Sequence, residues 1–224
     1  MHFKDFFTSN TVSELICFLI AMVCLIKDRN RVWKYFSFYL FITCVTELGA
    51  IYLKRHRHSN GWPYNISMLF EMLFISLMFA NLFNKYIKSK PIILTGFVSF
   101  AGVYIYETIG NSHKIMKPGF LYFNNTTNNV MSVLFVFYSL YYFYLLLRDS
   151  QYIDLRFSPQ FWWVIGVLFF YFGSTAVNIY RGIDESDSKQ ALCYYILNIF
   201  IILLYSCWSY AFICKKWLGT TSIA

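Results

Sequence analysis

Charged side chains are scarce in this sequence of 224 residues. Asp, Glu, Lys and Arg together make up 13% of it, whereas soluble globular proteins carry about 25%. Hydrophobic residues supply 58% of the chain, and the aromatic residues Phe, Trp and Tyr supply 22%. Such a composition leaves too few polar groups for the surface of a soluble domain, so we expect nearly the whole chain to lie in a membrane.

Residues that bind metals or form disulfides are also few. The four histidines, His2, His56, His58 and His113, fall in the N-terminal tail or in predicted loops. This placement argues against the catalytic zinc site of seven-helix membrane hydrolases, and we predict no bound metal. The six cysteines lie within or at the ends of apolar segments without C-x-x-C spacing, which argues against a disulfide framework.

Several familiar functional motifs are missing. No lysine lies between Gln190 and Cys214, so the last helix cannot form the Schiff base of a retinal-binding pump. The glycine patterns of P-loops, dinucleotide-binding sites and serine-hydrolase elbows do not occur. The net charge of +8 comes from basic residues in short loops beside apolar segments, where they set membrane topology. We therefore predict no cofactor and no nucleic-acid partner.

What the sequence does contain is seven long apolar segments. Each is close to the ~20 residues that an α-helix needs to cross a ~30 Å hydrocarbon layer. We predict an all-α fold, a polytopic membrane protein in which residues 1–224 form a single seven-transmembrane-helix bundle. The predicted helices are 11–26, 34–53, 63–83, 91–109, 130–147, 159–180 and 190–214.

The distribution of lysine and arginine predicts the orientation of the bundle. Eleven of these residues fall in one alternating set of loops and eight in the other. Because loops rich in Lys and Arg stay in the cytoplasm, the N-terminus is predicted outside and the C-terminus in the cytoplasm. The predicted location is the inner (plasma) membrane of a cell, as a multi-pass protein in contact with membrane lipids.

Carboxylates inside the predicted helices require an explanation, because each costs about 2.5–3.5 kcal/mol in hydrocarbon. At ~1.5 Å per residue, Glu47 lies about 20 Å from the inner boundary and Glu71 about 12 Å from the outer one. Glu14 and Glu107 lie nearer the outer ends. We predict a polar cavity that opens outward, with Glu47 and Glu71 at its floor. These two acids would be protonated, or would pair with a bound cation or a ligand amine. The alternative for each is a buried, neutral acid bonded to a Tyr or Ser on a neighbouring helix.

Other polar residues complete the predicted ligand or proton site. Tyr104, Glu107, Asn178 and Tyr194 are candidate walls of the cavity, and Asn198 lies near mid-membrane. For Asn178 and Asn198 the alternative is a hydrogen bond between neighbouring helices. For Glu14 and Glu107 the alternative is an interfacial side chain whose carboxylate reaches water.

A resemblance adds a third asparagine to the candidates. Glu47, the run Trp62-Pro63-Tyr64-Asn65 with Phe70-Glu71, and Ser158-Pro159-x-Phe161-Trp162 with Gly166 and Tyr171-Phe172 carry it. With these positions the chain resembles a group of short, uncharacterised seven-helix proteins of bacterial inner membranes. The resemblance implies no known activity. It implies only that Glu47, Asn65 and Glu71 are important.

Four functions fit these features. We favour a sensor- or receptor-like protein that binds a small molecule or lipid headgroup and signals through a partner membrane protein. A proton- or cation-coupled transporter that uses Glu47 and Glu71 is the main alternative. An intramembrane lipid-modifying enzyme and a structural subunit of a membrane complex are further alternatives, and we favour a non-enzymatic role.

Overall fold

The computed structural model describes residues 8–56, 61–115, 123–149, 154–183 and 187–217. These parts of the chain form seven α-helices and one short 3-10 helix at Leu155–Phe157. The all-α prediction is therefore confirmed. The helices are α1 (Ser9–Leu25), α2 (Arg31–Arg55), α3 (Gly61–Phe83), α4 (Lys90–Ile115), α5 (Asn125–Arg148), α6 (Pro159–Ile183) and α7 (Asp187–Trp217).

Six of the helices, α2 to α7, are long and apolar enough to cross a membrane. Helix α1 is also apolar but has 17 residues. At ~1.5 Å per residue it is about 25 Å long, a little less than the ~30 Å of a hydrocarbon core. The chain therefore has the character of a multi-pass membrane protein.

Side-chain caps define three helix starts. Thr8 accepts a hydrogen bond from the Thr11 amide at 3.2 Å at the start of α1, and Asn30 accepts one from Val32 at 2.9 Å at the start of α2. Ser158 accepts a bond from the Phe161 amide at 3.4 Å. Serine followed by proline predicts a helix start here, and α6 does begin at Pro159.

The loop between the fourth and fifth helices is shorter than the sequence predicts. The sequence predicts a loop over 110–129, but α4 continues to Ile115 and α5 begins at Asn125. The polar residues 125–129, which favour a loop by composition, form the first turns of α5. A carboxylate from α4 stabilises this start, as described below.

Helix packing produces a ring. Helix α1 packs against α2 and α7, α2 packs against α3, α3 against α5, α5 against α6, and α6 against α7. These six helices enclose a common interior. Helix α4 lies outside the ring, against α3 and α5.

Two glycines allow α6 and α7 to approach closely. A Cβ atom on Gly173 would overlap the ring of Phe200, and one on Gly166 would lie 3.0 Å from the Cβ of Cys207. Small residues of this kind let helix backbones pack tightly in membranes, where close contacts drive association. Tyr171 lies two residues before Gly173 on this closely packed part of α6.

Aromatic side chains fill one end of the interior. Phe36, Phe79, Trp163 and Trp208, from α2, α3, α6 and α7, are all buried. The rings of Trp163 and Trp208 are stacked with their centroids 6.0 Å apart, and Phe36 packs edge-on against Trp208 at 4.9 Å. Phe79 packs against Trp163 at 5.2 Å. We refer to these four residues as the aromatic plug.

Candidate functional site

Three carboxylates from three successive helices line one cavity of about 510 Å³. They are Glu14 of α1, Glu47 of α2 and Glu71 of α3. The cavity lies inside the ring, toward the end where α1, α3 and α7 begin and where α2 and α6 end. Its volume is in the range of sites that bind small molecules, about 300–1,000 Å³.

Glu14 is the most deeply buried of the three acids, with 6% of its surface exposed. Its carboxyl group interacts with the side chains of Thr43 and Cys44 of α2. Within the part of the chain that the structure describes, the Oε1 atom of Glu14 has no hydrogen-bond partner. A buried carboxylate oxygen without a donor is costly, so this atom is well placed to accept a hydrogen bond from a bound molecule.

The other two acids bond to tyrosines on neighbouring helices. The Tyr64 hydroxyl of α3 donates a hydrogen bond to Oε2 of Glu47 at 2.9 Å. The Tyr171 hydroxyl of α6 donates one to Oε1 of Glu71. Each tyrosine satisfies one carboxylate oxygen and leaves further lone pairs on the acid as acceptors. The acids are thus held in place while keeping capacity for a ligand.

Helix α2 shows how deep the cavity is. Tyr39, Thr43, Glu47, Ala50 and Lys54 all line it, at the spacing of three or four residues that places side chains on one helix face. Because fifteen positions separate Tyr39 from Lys54, this wall is about 22 Å long. Lys54 lies at the mouth, near the end of α2, and Tyr39 lies at the inner end.

The lining combines negative charge with aromatic rings. Among the described residues that line the cavity, three are carboxylates and one, Lys54, is a cation. The aromatic members are Tyr39, Tyr64, Phe170, Tyr171, Tyr194, Tyr205 and Trp208. Carboxylates and aromatic faces both attract cations, the carboxylates through their charge and the rings through their quadrupole.

The aromatic plug closes the inner end. Trp208 belongs both to the lining and to the plug. Its Nε1 donates a hydrogen bond to the Trp163 carbonyl oxygen at 3.2 Å, which fixes the indole ring across the base of the cavity. The cavity therefore opens toward one end of the bundle and ends near its middle.

Three other predicted site residues lie near the cavity but differ in their contacts. Tyr194 lines the cavity near its mouth. Asn198 accepts a hydrogen bond at 2.7 Å from Nδ2 of Asn10, so it joins α7 to α1. Asn178 donates to Oδ1 of Asn129 at 3.3 Å and lines a second, adjacent cavity.

The remaining three predicted residues, Asn65, Tyr104 and Glu107, connect helices instead of lining this cavity. The Asn124 amide, just before α5, donates to Oδ1 of Asn65 at 3.0 Å, and Tyr104 donates to the Asn65 carbonyl at 3.5 Å. Glu107 accepts bonds from the amides of Thr126 and Thr127 at 3.0 and 2.7 Å. It thus caps the start of α5, where Asn124 provides no side-chain cap of its own.

We expect substitution of Glu107 by alanine to lower the free energy of unfolding by about 1–3 kcal/mol. The change removes the acceptor of three hydrogen bonds, because the Thr127 hydroxyl also donates to Glu107, at 2.7 Å. It also removes a negative charge from a helix N-terminus. Equilibrium unfolding in mixed micelles measures the loss, and amide exchange at 125–129 locates it. An unchanged exchange rate at these residues would contradict the capping role.

Depth along α1 leaves open an interfacial side chain for Glu14, whereas the structure buries this residue. The buried residues of α1 are Thr11, Glu14, Cys17, Ala21 and Leu25, which follow one helix face. Small side chains along that face predict a helix that packs tightly, and this was the available signal that Glu14 points inward. The partners Tyr64 and Tyr171 are among the positions that carry the resemblance, but the resemblance assigns them no role.

Metal ligation has no support in the described residues. There, no group of three or more His, Cys, Asp or Glu side chains is arranged to hold a metal ion. All six cysteines are free. The polar groups of the site are carboxylates, hydroxyls, amides and the ammonium group of Lys54, and aromatic rings complete the lining.

Comparisons with known proteins do not extend this description. No protein-family model, curated protein or solved structure matches the chain. The resemblance to uncharacterised bacterial seven-helix proteins stays a prediction from the sequence, and function has to be inferred from the geometry of the site.

Proposed function

We propose that this is a receptor-like multi-pass protein of the inner (plasma) membrane whose cavity binds a small molecule carrying a protonated amine. The observation that carries the proposal is the buried Oε1 of Glu14, which has no donor among the described residues. An ammonium group supplies both the hydrogen-bond donors and the positive charge that this atom requires. By the distribution of basic loops, the cavity opens away from the cytoplasm.

The other walls support the same ligand chemistry. Glu47 and Glu71 add two carboxylates, and Lys54 at the mouth is the one basic residue among the described lining residues. Tyr39, Tyr205 and Trp208 also line the cavity, and aromatic rings attract cations. An anionic ligand would leave Oε1 of Glu14 without a hydrogen-bond donor in a low-dielectric site.

The aromatic plug favours a receptor over a channel. It separates the cavity from the opposite end of the bundle with four packed rings. A ligand that enters from outside would contact α1, α2, α3, α6 and α7 at once and could change their packing. A partner membrane protein would then respond to this change in helix packing.

A proton- or cation-coupled transporter remains the second candidate, because of one contact. The bond from Tyr171 to Glu71 joins α6 to α3, so protonation of Glu71 would alter the link between two helices of the ring. A transporter predicts pH-linked uptake of an amine into proteoliposomes, with uptake lost in Glu71→Gln. A receptor predicts binding without uptake.

We expect hexylamine to bind the full chain in nanodiscs and hexan-1-ol not to bind, since the two probes differ in the charged group. Glu14→Gln should weaken hexylamine binding about 30-fold or more, because the loss of a buried charged hydrogen bond costs about 2–5 kcal/mol. Isothermal titration calorimetry at neutral pH measures both affinities.

Asp149→Asn serves as the matched control. It makes the same acid-to-amide change at the far end of the bundle, where Asp149 pairs with Lys85 at 3.6 Å. This variant should bind hexylamine like the unaltered chain. Equal affinity for hexylamine and hexan-1-ol, or full hexylamine binding by Glu14→Gln, would refute the proposed function.

A further inference from the structure

A second cavity of about 370 Å³ adjoins the first one. It lies between α3, α5, α6 and α7. The two cavities share part of their lining, so they lie on either side of a common wall. The shared residues are Tyr64, Ser67, Glu71, Phe170, Tyr171 and Ile201.

The common wall contains the hydrogen bond between Glu71 and Tyr171. Both residues line both cavities, and the bond joins α3 to α6. Glu71 can therefore accept a hydrogen bond from a ligand group in either cavity. One molecule that occupies both cavities would contact this pair.

The second compartment differs from the first in its polar groups. Besides Glu71, its described polar lining consists of uncharged hydroxyls and amides, among them Asn128, Ser132, Ser174 and Asn178. It is therefore suited to an uncharged polar group, whereas the first cavity holds three acids.

The two serines of this compartment offer acceptor atoms. The hydroxyl of Ser132 donates to the Asn128 carbonyl at 2.8 Å, and that of Ser174 donates to the Tyr171 carbonyl at 3.2 Å. Each hydroxyl hydrogen is thus used within its own helix, while the oxygen lone pairs can still accept. Both serines are buried. Ligand hydroxyls, which donate hydrogen bonds, fit these acceptors.

We propose that the ligand is a hydroxylated amine, with its ammonium group on Glu14 in the first cavity and its hydroxyl-bearing part in the second. This inference rests on the proposed function and specifies its ligand class as amino alcohols or amino sugars. The unpartnered Oε1 of Glu14 fixes the charged end. The second compartment provides both the space and the acceptors for the uncharged end.

Two probes of equal carbon number test the proposal. Glucamine and hexylamine are both six-carbon primary amines, and glucamine has a hydroxyl on each of its other carbons. We expect the double variant Ser132→Ala, Ser174→Ala to weaken glucamine binding about tenfold or more, because two hydrogen bonds are lost. Hexylamine binding should change less than about twofold. Calorimetry of the full chain in nanodiscs measures both.

Ser139→Ala provides the control. Ser139 lies on the same helix as Ser132, two turns further along, and its hydroxyl also donates to its own helix at 2.8 Å. It is not part of the described lining of either cavity. This variant should bind both probes like the unaltered chain, which separates loss of a cavity acceptor from loss of a helical serine.

The outcomes distinguish this inference from the proposed function. If hexylamine binds and glucamine does not, or if the double variant weakens both probes equally, the inference is wrong and the amine site stands. If neither probe binds the unaltered chain, the proposed function and the inference are both wrong. A selective loss of glucamine affinity in the double variant supports the two-compartment site.

Discussion

Replacement of Trp208 by alanine is expected to lower the free energy of unfolding by about 3–5 kcal/mol, the range for truncation of a buried tryptophan. Trp208 is 1% exposed and contacts the rings of Phe36, Trp163 and Tyr39. In a membrane, close packing of this kind supplies most of the attraction between helices. The substitution would also remove the bond from Nε1 to the Trp163 carbonyl.

Equilibrium unfolding in mixed micelles measures this loss, and Trp62→Ala is the matched control. Trp62 lies at the start of α3 and is 43% exposed, so its truncation leaves no internal cavity. We expect the control to change the unfolding free energy by about 1 kcal/mol or less. Similar losses in the two variants would show that the aromatic plug does not stabilise the ring.

The sequence predicts the helices well because each one is a long apolar run. The α3 segment, predicted as 63–83, forms Gly61–Phe83, and the α6 segment, predicted as 159–180, forms Pro159–Ile183. Runs of this length have few alternatives to a helix in hydrocarbon, since every backbone group must be bonded internally. Local chemistry was enough for these elements.

Contacts between distant helices explain where the prediction failed. Residues 125–129 favour a loop by composition, but the amides of Thr126 and Thr127 donate to Glu107 from another helix. The position of α4 outside the ring, and the resulting contact between α3 and α5, also have no local signal. Such features depend on residues far apart in sequence.

For the site residues, the depth of a side chain in the membrane and the direction in which it points are separate questions. Counting residues from a helix end gives the depth of an acid in the membrane, but not the side of the helix on which it lies. Depth predicts Glu107 and Asn178 as walls of the cavity, yet Glu107 caps α5 and Asn178 lines the second cavity. Lipid-facing and interior-facing positions are both apolar here, so the sequence pattern does not separate them.

Replacement of Glu14 by methionine is expected to raise the free energy of unfolding by about 1–3 kcal/mol, although most core substitutions lower it. Methionine fills a similar volume without burying a carboxylate oxygen that lacks a donor. The neighbouring Thr43 hydroxyl keeps a partner, because it donates to the Leu40 carbonyl at 2.9 Å. The same variant should lose hexylamine binding, so stability and function would change in opposite directions.

Glu107→Met tests whether this effect is specific to Glu14. Both substitutions remove a carboxylate at the same end of the bundle, but Glu107 has three donors and Glu14 Oε1 has none among the described residues. We therefore expect Glu107→Met to lower the unfolding free energy and to retain hexylamine binding. Unfolding in mixed micelles and calorimetry in nanodiscs compare the two variants directly. Loss of stability in Glu14→Met would show that Glu14 is a structural acid, and a ligand-binding role for it would then have no support.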